Sequence, residues 1–203
     1  MHNAKLIFDQ NFIRIGQIDA IYIHSVNDLG LGHEDVADLL RSEVVYAISA
    51  IDRLVHELVK KGMVSIFLGA RPITNSYSNF QLTLSQHNEI RTPGPIPPEA
   101  VFQSIIELKH GYLAFQDPDK MKEALNFIWN EQFKWQKIAA ELGSNETTVK
   151  QTLNNIVIRR NQIVHEMDLN LSTGVLQPLS YADSRTMVDF IQNLGNAIYN
   201  LVI

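Results

Sequence analysis

The chain has 203 residues, enough to bury one substantial core, and its 45% hydrophobic and 19% charged content excludes a disordered chain. A net charge of −5 and a pI near 5.8 exclude the basic face that a protein coating nucleic acid needs. The lack of cysteine excludes a disulfide framework and a thiolate metal site, the start Met1-His2-Asn3-Ala4-Lys5 lacks the layout of a signal peptide, and no apolar run is long enough for a membrane span, so the expectation is a single cytoplasmic domain over 1–203 without membrane contact.

Residues 4–27 carry Leu6, Phe8, Phe12, Ile13, Ile15, Ile18, Ile21 and Tyr22 without strict alternation, which predicts a helix stopped by Gly30 and Gly32. From Glu34 to Lys61 the stripe Leu40, Val44, Ala47, Ile48, Ile51, Val55 and Leu58 predicts a second helix, opened by acids and closed by Lys60 and Lys61 as the macrodipole favours. Residues 69–97 have no sustained period and hold Pro72, Pro93, Pro95 and Pro97. They predict a long irregular excursion with a short helix or extended piece near Phe80 to Leu84.

Order returns at Pro98, a good first-turn residue, with Val101, Phe102, Ile105 and Ile106 behind it, giving a helix over 98–114. Asp117-Pro118 is a cap followed by a first-turn proline, and the helix it starts continues or restarts between Gln132 and Leu142. Gly143 stops it, Ser144 or Asn145 caps the next helix over 146–168, and Ser180 with Asp183 opens a last helix whose face is Met187, Ile191, Leu194, Ile198 and Leu201. No strand pattern survives. The fold class is all-α, an antiparallel helical bundle with a core of the 34–61, 98–114, 146–168 and 180–202 helices.

One helix breaks its own pattern. Leu153, Ile156, Val157, Val164 and Met167 recur at the spacing of a buried stripe, and Arg160 falls on that stripe between Val157 and Val164. A buried guanidinium is costly unless it is paired or faces a wet cleft, so the violation flags a functional site. His165 and Asn161 lie nearby, adding a side chain of the class that titrates near neutral pH and an amide to orient it. The bland alternative is that Arg160 crosses a helix contact and His165 is a surface histidine.

The stretch Ile156-Val157-Ile158-Arg159-Arg160-Asn161-Gln162-Ile163-Val164-His165-Glu166-Met167-Asp168 resembles the signature of the HEPN superfamily, in its RiboL-PSP branch: an Arg, a polar residue, a short spacer and a His. A second stretch, Leu40 to Leu58 with Asp52 and His56 at its centre, resembles the other hallmark helix of that branch. The resemblance covers about 34–203. It implies metal-independent endoribonuclease chemistry on an RNA substrate, with Arg160, His165 and Asn161 catalytic and Asp52, His56 and Arg159 supporting. It also implies a homodimer whose second copy completes the cleft, and a toxin or defence role restrained by an antitoxin partner. On an ideal helix, five residues at 100° each place Arg160 and His165 about 140° apart, so a bulge or an Arg meeting a His across the dimer is expected.

Two rival readings stay open. A catalytically silent HEPN bundle would bind RNA or protein. Separately, Trp135 to Lys150 has the outline of a helix-turn-helix DNA-binding motif, against which stand the long second helix and the few basic residues around it. No metal and no cofactor is expected. His24, His33, His87 and His110 have no ligand partners at metal spacing and read as surface or loop residues, and no phosphate-binding loop occurs.

Overall fold

A computed structural model describes residues 1–92, 94–170 and 172–203. The described residues form nine helices: α1 (His2–Asn27), α2 (His33–Phe67), α3 (Asn75–Ser78), α4 (Leu84–Arg91), α5 (Pro98–His110), α6 (Pro118–Asn126), α7 (Lys134–Glu141), α8 (Glu146–Glu166) and α9 (Tyr181–Val202). No strand occurs among them, and one isolated antiparallel bridge joins Leu169 to Leu176. The expected all-α bundle is the fold.

The axis of the bundle is α2, whose 35 residues span about 52 Å at 1.5 Å per residue. Leu40, Val44, Ile48, Ile51, Leu54, Val55, Leu58 and Met63 are all buried along it, and α1, α5, α6, α8 and α9 pack around it. The helix runs on past Lys61 because the two lysines are not helix closers. Lys60 reaches Glu57 at 2.8 Å and Glu107 at 3.0 Å, Lys61 donates to Gln103, and the apolar stripe continues through Met63 and Ile66. Gly62 does not break α2; a side chain there would meet Ile128, so the glycine permits a close crossing.

The core is also larger than the four helices expected. Ala4, Phe8, Phe12 and Ile15 of α1 are buried in the same cluster as the α2 and α9 stripes. Helix α5 stops at His110, short of 114, because the chain must turn there to bury Phe115. The excursion over 69–97 holds two short helices rather than one piece at Phe80 to Leu84. Thr74 caps α3 and also donates to the Phe127 carbonyl at 3.0 Å, while Thr83 and Gln86 form a capping box on α4. Pro93 lies outside the described residues.

Candidate functional site

Helix α8 starts where Asn145 accepts the Thr148 amide hydrogen at 2.9 Å, a cap worth about 1 kcal/mol. Its first half is anchored by buried Val149, Leu153 and Ile156. In its second half no side chain is fully buried, and only half-buried Val157 and Ile163 pack against the core. Val164 and Met167 are exposed, so the expected buried stripe ends near Val157. The physical reason is a groove of about 500 Å³ between the end of α8 and α2, lined by Asp38, Arg41, Val45, Tyr46, Ile163 and Met167 among others. Arg160 therefore leaves the core with the helix instead of interrupting it.

The two consecutive arginines diverge. Arg160 is half-buried; its Nη1 donates to Asn161 Oδ1 at 3.0 Å, and its Nε is buried with no hydrogen-bond partner. Asn161 thus orients the arginine rather than the imidazole. Arg159 turns the other way, to Asp168 Oδ2 at 2.9 Å and the Pro178 carbonyl at 3.1 Å. His165 is exposed and has no hydrogen-bond partner among the described residues. The helix is regular from Glu146 to Glu166, so no bulge turns Arg160 and His165 onto one face.

Asp52 and His56 are placed together, but their partners are on the segment after α5 rather than on α8. Asp52 Oδ1 accepts the Phe115 amide at 2.6 Å, and His56 Nε2 donates to the Leu113 carbonyl at 3.2 Å with the Phe115 ring 4.4 Å away. They line a separate polar cleft of about 620 Å³ with Arg53, Glu57, Lys60 and His110. His110, expected at the surface, is 7% exposed. Burial first, then nearby His56 and Lys109, push its pKa down to about 4. His33 is also tied down, with Tyr22 Oη at 2.7 Å and the Leu179 carbonyl at 3.0 Å.

Five charged residues are buried among the described residues, Arg41, Glu43, Glu57, Lys134 and Asp168, and three of them form ion pairs that join elements far apart in the chain. Asp168 is fully buried and takes Arg41 Nε at 2.7 Å as well as Arg159. Glu43, also fully buried, meets Ser184 Oγ at 3.4 Å and Arg185 Nη1 at 3.5 Å. Burial and then the neighbouring Asp19 push its carboxyl up to about 7. The signal that marks Arg160 is present for the other two: Arg41 falls at the helical spacing of buried Ala37, Val44 and Ile48, and Glu43 at that of Leu40 and Ala47, so each interrupts a core-facing position of α2. No group of three or more His, Asp or Glu positioned to hold a metal ion occurs among the described residues, and no helix among them is long and apolar enough to cross a membrane.

A model of the family described as RiboL-PSP-HEPN matches residues 10–203, from within α1 to the C-terminus. The match begins about two helical turns into a helix that the resemblance had left out, consistent with the burial of α1 in the common core. No curated protein and no solved structure matches the chain.

Proposed function

The chain belongs to the RiboL-PSP-HEPN family, and from that membership and the state of its motif we propose that it is a metal-independent endoribonuclease. The observation that supports the reading is that Arg160 and His165 both stand on the second half of α8, where no side chain is fully buried, with the His165 ring exposed and without a hydrogen-bond partner among the described residues and Arg160 bonded only to its neighbour Asn161. His165 takes the proton from a ribose 2′-hydroxyl, whose oxygen attacks the adjacent phosphorus. The bond from phosphorus to the 5′-oxygen breaks, and that oxygen leaves as a hydroxyl by taking the proton that His165 holds, which returns the imidazole to its starting form. Arg160, aligned by Asn161, offsets the negative charge that builds on the phosphorane oxygens. The products are a 2′,3′-cyclic phosphate and a 5′-hydroxyl end.

Because α8 is regular, Arg160 and His165 of one chain point apart, and we place the working pair across a two-fold axis: Arg160 of one copy with His165 of the other. Exposed Tyr46, Val164, Met167 and Leu176 around the groove supply an apolar surface for that contact. The helix-turn-helix reading is weaker on two counts. Lys150 is within 3.8 Å of Glu146 and 3.9 Å of Asp119, and the helix that would enter a groove is anchored in the core by Leu153 and Ile156.

The experiment is a cleavage assay on RNA with Arg160→Ala and His165→Ala, singly and mixed. Each variant alone should lose on the order of a hundredfold in rate or more. An equal mixture that exchanges subunits should recover about a quarter of wild-type activity, since half of the dimers then hold one intact composite site. Chelation should leave the rate unchanged, and deoxyribose at the scissile position should block cleavage. Wild-type protein that cleaves no RNA under any of these conditions favours the silent bundle, and variants that cleave at the wild-type rate remove Arg160 and His165 from the site.

A further inference from the structure

The motif helix ends in an unusual way. Met167 and Asp168 both adopt left-handed backbone conformations, at φ 52° and φ 58°, and neither is glycine. Each such residue is strained, so two in succession persist only where surrounding contacts dictate them. Those contacts are present. The Asp168 carboxylate is fully buried, and its Oδ2 accepts Arg41 Nε at 2.7 Å and Arg159 Nη2 at 2.9 Å. Both arginines continue to the same strip of backbone beyond: Arg41 Nη2 to the Gln177 carbonyl at 2.9 Å, and Arg159 Nη2 to Pro178 at 3.1 Å. The Asp168 backbone closes the figure, its amide donating to the Gln162 carbonyl at 3.0 Å and its carbonyl accepting from Gln177 at 2.8 Å.

The position of this clamp matters more than its strength. Arg159 immediately precedes Arg160, and Asp168 follows His165 by three residues. The ion pair therefore grips the interval between Arg160 and His165 at both of its ends and fastens it, through Arg41, to the central helix α2. The two residues inside the interval have no such anchoring of their own: His165 has no hydrogen-bond partner among the described residues, and Arg160 holds only its neighbour Asn161. In the second half of α8 only the half-buried Val157 and Ile163 pack against the core, so apolar packing there is thin and the ion pair adds the polar anchor.

We propose that Asp168 is a positioning residue, which through Arg41 and Arg159 sets where His165 and Arg160 stand relative to the rest of the bundle. The proposal rests on the ribonuclease reading for its consequence in catalysis, though not for its geometry. Removing the carboxylate takes the shared acceptor from buried Arg41 and half-buried Arg159, leaves Arg41 with exposed Asp38 at 3.3 Å as its ionic partner, and frees the left-handed turn, which lets the last turn of α8 and its histidine drift. A drift of this size lowers the chemical step, because reacting groups must be held to a fraction of an ångström, while substrate binding by the rest of the surface is little changed.

The test uses full-length Asp168→Asn, Arg41→Gln and the double variant, read in two ways. Nuclear magnetic resonance of the folded proteins, below their unfolding temperatures, follows the His165 ring and the Arg160 Nε–H signals, and steady-state cleavage separates kcat from KM. In Asp168→Asn the His165 and Arg160 signals should shift or broaden while those of α5 and α9 stay in place. Its kcat should fall at least tenfold with KM within twofold. The double variant removes one of the two cations together with the carboxylate and so restores the charge balance around Arg159, and it should recover part of that kcat. If Asp168→Asn merely melts earlier, with both signals and kcat of the folded protein unchanged, the positioning role is overturned. A wild type without ribonuclease activity would defeat the functional reading alone, because the resonance comparison then still decides whether Asp168 holds the motif in place.

Discussion

Asn161 illustrates how an isolated side chain changes role once its partner is known. Read from the sequence, it orients His165 from one turn away; in the structure its Oδ1 accepts from Arg160 Nη1 at 3.0 Å. Loss of a charge-assisted bond of this kind is worth about 1–2 kcal/mol when the surroundings are partly solvated. Asn161→Ala should therefore lower cleavage by roughly tenfold, well short of the loss expected for Arg160→Ala itself. Asn161→Asp, which keeps the acceptor and adds a charge, should fall less in binding to Arg160 but repel the phosphate. A hundredfold loss in Asn161→Ala with Arg160→Ala no worse would show that the amide has a direct role instead. The motif residues could be found in the sequence because their types and spacing are local; the pairing of Asp168 with Arg41, 127 residues away, and the point where the buried stripe of α8 ends are set by tertiary contacts that a window of a few residues does not contain.

At the scale of elements, sequence periodicity located the long helices well because their stripes are continuous over many turns. It failed at boundaries where a tertiary contact overrides a local signal: Lys60 and Lys61, which read as helix closers, are neutralised by or bonded to α5, and α2 runs on to Phe67. Glycines show the same division. Gly195 of α9 has no room for a side chain, since a Cβ would press into the buried Phe8 ring of α1, whereas nothing lies within 4 Å of a Cβ placed on Gly16. Alanine gains up to about 1 kcal/mol in helix propensity at either site, but overpacking a core costs about 1–3 kcal/mol. Gly195→Ala should therefore lower the unfolding temperature and Gly16→Ala should raise it, each by a few degrees, at about 2–4 °C per kcal/mol for a chain of this size. Phe8→Leu should restore part of the loss in Gly195→Ala. Equal effects of the two alanines would mean that α1 does not pack on α9 as closely as the structure has it.

For the whole molecule, the two most perturbed groups pull stability in opposite directions with pH. Glu43 is raised from 4.5 to about 7, by burial first and then by Asp19. The folded state thus holds its proton more tightly than the unfolded chain, and the stability it contributes is complete below pH 4.5 and is lost as pH rises through 7. His110 is lowered from 6.5 to about 4, by burial first. Its fold-favouring form is the neutral ring, so its contribution is complete above pH 6.5 and is lost as pH falls through 4. Between pH 4.5 and 6.5 the two slopes oppose each other, which predicts a shallow stability maximum on the acid side of neutrality. Each effect is on the order of 1–3 kcal/mol at its unfavourable extreme. Urea unfolding should find Glu43→Gln more stable than wild type at pH 8 and close to it at pH 5, because the amide keeps a partner for Ser184 without a buried charge. His110→Gln should narrow the loss of stability below pH 5 and leave the alkaline limb alone. An offset for Glu43→Gln that is the same at pH 5 and pH 8 would mean that the carboxyl is ionised across that range, paired with Arg185 strongly enough to outweigh both its burial and Asp19.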